Sequence, residues 1–281
     1  MSKILIAGCG YVGTSLAEDL LRSGEDVWGM RRKPESLPEA LRPLKADLND
    51  PGTLLNLPEG LDYVLYTAGA SAFSEEAYRD AYIRGVSNLL SALEAQGHRP
   101  KRILFTSSTG VYAQQDGRWV DETSPTEPTS FSGRTVLEAE RLFQESPFET
   151  VSLRLGGIYG PGRAALIDRV RKGEAMLEAK SRYLNLIHLE DIVGALTHLM
   201  KIEPVQEVYV GVDSDPQEWN ALIRWITREL ELPESPLRGD AESKRPPRHR
   251  RCSNARLRAS GYEFRFPSCR EGYRELIHSA D

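Results

Sequence analysis

Residues 3–21, Lys-Ile-Leu-Ile-Ala-Gly-Cys-Gly-Tyr-Val-Gly-Thr-Ser-Leu-Ala-Glu-Asp-Leu-Leu, decide the fold. Ile4 to Ala7 is a short apolar run of the kind that makes a buried strand, and from Tyr11 to Leu21 the apolar residues recur at helical spacing. Between them stands Gly8-Cys9-Gly10-Tyr11-Val12-Gly13. A GxGxxG match is weak alone, but one that follows a strand and opens a helix is the setting of a dinucleotide loop. Gly8 allows the tight turn, Gly10 lets the backbone approach a pyrophosphate, and Gly13 lets helix and strand pack closely, with the phosphates on the helix N-terminus. A merely structural turn has no need of three glycines at this spacing.

The same alternation continues outward. Val27-Trp28, Tyr63 to Thr67, Arg102 to Thr106 and Thr150 to Leu155 read as strands, with helical periodicity at Tyr78 to Ala95 and Val136 to Gln144. Parallel neighbours need crossover connections, so the pattern predicts an α/β fold, a doubly wound parallel sheet with helices on both faces. The second half breaks the rhythm. Helices are expected at Leu189 to Met200 and Glu218 to Leu230, a strand at Glu207 to Val210, and an irregular, Pro-rich and charged excursion over 233–250. The expected division is a dinucleotide-binding domain from 1–155 and 186–210, and a small discontinuous C-terminal substrate lobe from 156–185 and 211–281.

Composition narrows the function. The chain has 281 residues, 40% hydrophobic and 27% charged, with a formal net charge of -5; it is an ordinary globular composition with no footprint for nucleic acid. No apolar run is long enough to span a bilayer and no signal peptide is recognisable, so a cytoplasmic protein is expected. Cys9, Cys252 and Cys269 are scattered, which predicts neither disulfides nor a structural zinc, and Cys9 reads as a small residue in a crowded turn. The second strand ends in Gly29-Met30-Arg31-Arg32, with no carboxylate before Glu35. An NAD site places an acid there for the ribose 2′-hydroxyl, whereas arginine suits a 2′-phosphate, so Arg31 and Arg32 favour NADP over NAD. A solvated arginine pair is the alternative.

At this point the chain resembles the extended short-chain dehydrogenases, the NAD-dependent epimerase/dehydratase family, over almost its whole length. Ala46-Asp47-Leu48 resembles the adenine-contacting segment, and Thr67-Ala68-Gly69-Ala70 the turn beneath adenosine and ribose. Ser107-Ser108-Thr-Gly-Val-Tyr112, Arg154-Leu-Gly-Gly157-Ile158-Tyr159-Gly-Pro-Gly162, Asn185-Leu-Ile-His188-Leu-Glu-Asp191 and Ser253-Asn-Ala-Arg-Leu-Arg258 are similar to four further family segments. The resemblance implies cofactor contacts from the loop and from Asp47, Leu48, Ala68, Gly69, Ala70, Thr106, Gly157 and Ile158. It also implies a hydrogen-bonding role for Ser108 and a dimer as one oligomeric state, a monomer being the other.

The departures matter as much. The family's first loop glycine falls at Ala7 and has moved to Gly8, and Tyr82 stands where an Asn is expected before Gly85. Pro128-Thr-Ser-Phe-Ser132-Gly-Arg-Thr-Val136 keeps the frame of the catalytic helix, but Ser132 replaces its Tyr and Val136 its Lys. A Lys beside a Tyr lowers the phenol toward neutrality, and a Ser without a cation has no such acidity. Tyr112, Tyr159, Tyr82 and His188 are the candidate substitutes, each also readable as a wall, core or capping residue. His188 titrates nearest neutrality without help. Ser132, Tyr159 and Tyr82 are expected to face substrate. The paired carboxylates Asp121-Glu122 and Glu138/Glu140 read as solvated charge, and the basic run Lys244 to Arg251 as either a surface loop or a holder for an anionic substrate. The sequence leads to an oxidoreductase of a small carbonyl, alcohol or nucleotide-sugar-like compound with a non-standard proton donor. Its rival is a noncatalytic NADP-binding sensor.

Overall fold

The computed structural model describes residues 1–237 and 249–279. From the N-terminus, β1 (Lys3–Ala7), α1 (Tyr11–Arg22), β2 (Asp26–Arg31), β3 (Arg42–Lys45) and β4 (Tyr63–Tyr66) lead to α2 (Glu75–Arg79). One π turn, Asp80–Arg84, joins α2 to α3 (Gly85–Ala95). Then come β5 (Arg102–Ser108), β6 (Trp119–Val120), α4 (Phe131–Gln144), β7 (Thr150–Leu155), β8 (Gly157–Tyr159), α5 (Ala165–Arg171), β9 (Tyr183–Leu184) and β10 (Leu186–His188). The chain finishes with α6 (Leu189–Lys201), β11 (Val208–Gly211), β12 (Gln217–Glu218), α7 (Trp219–Glu229), β13 (Arg251–Cys252), α8 (Ala255–Ala259) and α9 (Cys269–His278).

Seven strands make one Rossmann-like sheet in the order β11-β7-β5-β4-β1-β2-β3. From β3 across to β5 every neighbour runs parallel, as the alternation predicts. Ile4, Leu5 and Ile6 are wholly buried because a parallel strand is covered on both faces. The chain winds outward from β1 through β2 to β3, then returns to β4 and winds the other way. That reversal between β1 and β4 is a switch point, where ligands of open α/β sheets bind beyond the carboxyl ends of the strands. The edge strand β3, Arg-Pro-Leu-Lys, left no periodic signal because it is mostly exposed and its proline is tolerated only at an edge.

The chain divides into two compact units. The first comprises Met1–Tyr112, Thr126–Arg154 and Val193–Tyr209; the second comprises Ala113–Pro125, Leu155–Ile192 and Val210–Asp281. The second has its own core, in which Ile167, Leu222, Ile223, Trp225, Tyr273 and Ile277 pack together from α5, α7 and α9. Its short strands pair as β8 with β10, β9 with β12 and β6 with β13. Among the described residues no helix is long and apolar enough to cross a membrane.

Candidate functional site

At the carboxyl end of β1, Gly8 has a φ of 98°, and a Cβ there would lie 2.4 Å from Ala68 Cα, just past β4. Gly13 is as confined: its Cβ would come 2.6 Å from Thr67 Oγ1 and 2.7 Å from the Gly8 carbonyl. Gly10 differs, since a Cβ there would meet nothing closer than Gly8 O at 4.0 Å. Two glycines therefore pack β1, α1 and the end of β4 together, while the third leaves space over the helix start. No side chain caps α1 and no acid stands in its first turn. This cradle fits a pyrophosphate, which main-chain N–H groups at a helix N-terminus attract. Tyr11 and Val12 supply the first turn behind it.

The loop is tied to β2, because Gly8 and Cys9 both donate their N–H to Met30 O at 3.2 Å. Arg31 follows immediately and lies close enough to pull on the Cys9 thiol, which burial nevertheless pushes up to about 12. Cys9 is thus a protonated packing residue, as its crowded turn suggests. Arg31 and Arg32 are exposed. Arg31 Nη1 donates to Ser36 Oγ at 3.0 Å, and Arg32 has neither hydrogen bond nor ion pair among the described residues. Beyond them, Asp47 accepts the Asn49 N–H at 3.0 Å and Leu48 O accepts from Asn88 Nδ2 at 2.8 Å, which fixes the Asp47-Leu48 turn. Thr106 Oγ1 donates to Tyr66 O at 3.1 Å and so ties the ends of β5 and β4.

Tyr82 sits in the π turn, a distortion that recurs at functional sites. Its oxygen accepts the Ala70 N–H, and burial pushes its phenol up to about 12. The ring lies against Tyr78 and Phe105. Ala68, Gly69, Ala70 and Tyr82 are thereby gathered at the end of β4.

Ser130 caps α4 by accepting the Gly133 N–H at 3.1 Å, and Ser132 Oγ lies 3.2 Å from Ser130 Oγ. Val136 is buried. A Cβ on Gly133 would fall 2.5 Å from Gly110 O, so the helix touches the loop after Ser108 through bare backbone. Ser108 Oγ accepts the Gly110 N–H at 3.0 Å. Ser132 and Val136 thus lie on the first two turns of α4, which touches the loop after Ser108.

Tyr112 is buried. Its hydroxyl accepts from Arg154 Nη1 at 3.0 Å, and the guanidinium also lies 5.2 Å from its ring centroid. Arg154, 5% exposed, forks onto Glu140, 1% exposed, through Nε to Oε1 at 2.9 Å and Nη2 to Oε2 at 2.7 Å. Ser107 Oγ completes the set on Glu140 Oε1. The solvated reading of Glu140 is therefore wrong: it is the buried counter-ion of the one charged residue in a fully buried strand. Glu122 is corrected likewise, being buried and accepting the Val210 N–H at 2.8 Å. Glu138 does face solvent, with Arg79 at 3.9 Å, while Asp121 accepts from Thr123 and Ser124.

In the second unit, Gly157 and Ile158 run along β8 beside β10, and Tyr159 and His188 end those strands with ring centroids 5.1 Å apart. Tyr159 Oη is buried against Gly272, without a hydrogen-bond partner among the described residues. His188 is 2% exposed; its Nδ1 accepts the Glu190 N–H at 3.3 Å and so caps α6. Burial, aided by Arg265, pulls it down from 6.5 to about 4, which removes it from acid-base work near neutrality. The sequence expectation for its titration is corrected by that burial.

A stability prediction follows from the sign of this shift. Unfolded His188 binds a proton as pH falls below about 6.5 while the folded residue resists until about 4. Stability is full above the first value and drains through that window. In denaturant titrations the wild type should lose roughly 3 kcal/mol more than His188→Gln between pH 7 and 4. Parallel losses would show that His188 is not held neutral.

A model of the NAD dependent epimerase/dehydratase family matches residues 4–210. The chain belongs to that family. Protein YeeZ of Escherichia coli K12 is 34% identical over 218 residues, which are 74% of this chain and 77% of YeeZ. A Methylobacillus flagellatus structure, provisionally described as an NAD-dependent epimerase/dehydratase, superimposes with a TM-score of 0.83 at 32% identity, covering 99% and 98% of the two chains. The human epimerase family protein SDR39U1, solved with NADPH, shares the fold at 20% identity, with a TM-score of 0.82 over 98% and 99% of the chains.

Within this family frame, the first unit brings the glycine loop, Arg31, Ala68 and Thr67 together, and places Ser108 near Ser132 through the Gly110–Gly133 contact. It does not free Tyr112. The Glu140–Arg154 pair was missed as an interaction, although Arg154 in the apolar run Thr150 to Leu155 was the available signal: a buried charge needs a partner.

Proposed function

We propose that the chain is an NADP-preferring oxidoreductase of the epimerase/dehydratase family, acting on a small carbonyl or alcohol compound, with Tyr82 as its proton donor. The observation that carries the reading is the exposed Arg31-Arg32 pair, fixed beside the glycine loop by the two hydrogen bonds to Met30 O and bound to no carboxylate among the described residues. Uncompensated guanidinium groups at the end of β2 suit a 2′-phosphate, which they can hold bidentately. The nicotinamide supplies the hydride chemistry, so the protein must hold the substrate and manage one proton.

Three of the four candidates are held in other contacts: Tyr112 is buried on the Arg154 guanidinium, Tyr159 is buried against Gly272, and His188 caps α6. Tyr82 accepts the Ala70 main-chain N–H on its oxygen, which leaves its own O–H to give. A phenol held near 12 stays protonated at neutral pH and still donates readily to an alkoxide. Ser108 would polarise the carbonyl by hydrogen bonding.

The test is NADPH oxidation, followed by its near-ultraviolet absorbance, across a library of carbonyl compounds and nucleotide sugars. Tyr82→Phe should lower kcat about 10²- to 10⁴-fold while NADPH affinity holds. Activity that survives Tyr82→Phe removes the residue from this role. The tied-up state of the other candidates favours the second reading, a noncatalytic NADP-binding protein, which binding without any turnover would support.

A further inference from the structure

The second unit carries an arginine prepared for a ligand. Arg251 opens β13, which pairs in parallel with β6 so that Arg251 stands opposite Trp119. Its guanidinium carbon lies 5.1 Å from the Trp119 ring centroid and 5.0 Å from that of Tyr183 on β9. Nε donates to Gly117 O at 2.8 Å. Gly117 has a φ of 77° and donates its own N–H to His249 O at 2.8 Å, which ties the turn to the chain entering β13. Tyr183 also stacks on the His249 ring, with centroids 5.3 Å apart and planes within 7°.

Nη1 and Nη2 of Arg251 are left with no hydrogen bond and no carboxylate among the described residues. The nearby Asp116 is taken by Arg118, which reaches both its oxygens at 2.9 and 2.7 Å. His249 Nδ1 is buried and likewise has no partner in the described residues. Trp119 is 52% exposed, a large surface to leave in water, so the cluster lies where a solute can reach it.

Stacking two aromatic rings on a guanidinium leaves its in-plane N–H groups available and fixes the plane in which they point. Side-chain entropy that a free arginine loses on binding is already lost here. We propose that Arg251, held by Trp119, Tyr183 and Gly117, is a receptor for an oxyanion, the phosphate or carboxylate group of a small ligand. The site is independent of the glycine loop and of the cofactor reading. It lies at the end of the basic run, whose residues 244–248 fall outside the described residues.

Isothermal titration of the full chain at low ionic strength with inorganic phosphate and, separately, acetate tests it, with sodium chloride as the ionic-strength control. Wild type should bind at least one of the two anions saturably, and the stronger binder identifies the group. Arg251→Gln should weaken binding at least tenfold, and Arg251→Lys, which keeps charge but loses the fork, at least threefold. Trp119 emission should change on binding, and Trp119→Phe should remove that change. Because Arg31 and Arg32 are themselves offered to a phosphate, the titrations are repeated in the Arg31→Ala, Arg32→Ala background, which should keep a saturable site that Arg251→Gln removes; loss of all saturable binding in that background would assign the anion to the cofactor loop and overturn the proposal. So would absence of saturable binding by wild type, or full affinity in a folded Arg251→Gln. If Arg251→Gln does not fold, unchanged affinity in Arg251→Lys overturns it.

Discussion

Glu140→Ala is expected to cost about 3 to 5 kcal/mol of folding stability. The reason is the neighbour left behind. Arg154 is nearly inaccessible and directs Nε and Nη2 at Glu140, and its charged form is held by that carboxylate against the cost of burial. Removing the carboxylate strands a guanidinium in a strand buried along its whole length. Ser107 loses its partner in the same step. Chemical denaturation measures the loss. The double variant Glu140→Leu with Arg154→Met should recover most of it, because a buried ion pair replaced by apolar groups of similar volume is often neutral or stabilising. If the single change costs under 1 kcal/mol, water reaches the pair and the buried description fails.

The second large effect concerns the cofactor. Replacing Arg31 and Arg32 together by alanine should weaken NADPH binding about 10²-fold, roughly 2.7 kcal/mol, and leave NADH binding within a factor of two. The 2′-phosphate is the only difference between the two ligands. Arg32 has no partner to lose among the described residues and Arg31 loses only Ser36, so folding should be unaffected. Titration calorimetry with both cofactors decides it. Equal weakening of NADH and NADPH would mean the arginines serve the whole dinucleotide, and no change in either would return them to the solvated surface pair.

The candidate site was legible unevenly. The packing parts of Gly8 and Gly13 were legible from spacing, since only glycine meets a left-handed turn at the first and a Cβ contact below 3 Å at the second, while Gly10 leaves open space over the helix start. The helix that carries Ser132 and Val136 was equally visible, because its apolar residues recur at helical spacing. By contrast, the sequence offered four candidate proton donors and favoured His188, for its titration, and Tyr112, for its nearness to Ser108. It has no term for the Arg154 guanidinium on Tyr112, the Gly272 surface under Tyr159 or the Glu190 N–H on His188. Glu140 and Glu122 looked solvated for the same reason: a carboxylate's letter does not tell whether a partner waits for it across the fold.

Sequence by itself determined the parallel α/β sheet, the dinucleotide loop and the arginines after β2, because each depends on neighbours within one strand-turn-helix and local sterics repeat at a fixed period. Tertiary structure decided the rest. It put the Arg154 guanidinium on Tyr112 and the Glu190 N–H on His188, made Glu140 and Arg154 a buried pair, and set Arg251 between Trp119 and Tyr183 from strands far apart in the chain. The energy of a charge or hydroxyl depends on its dielectric surroundings and its partners, and both are fixed only when distant segments pack.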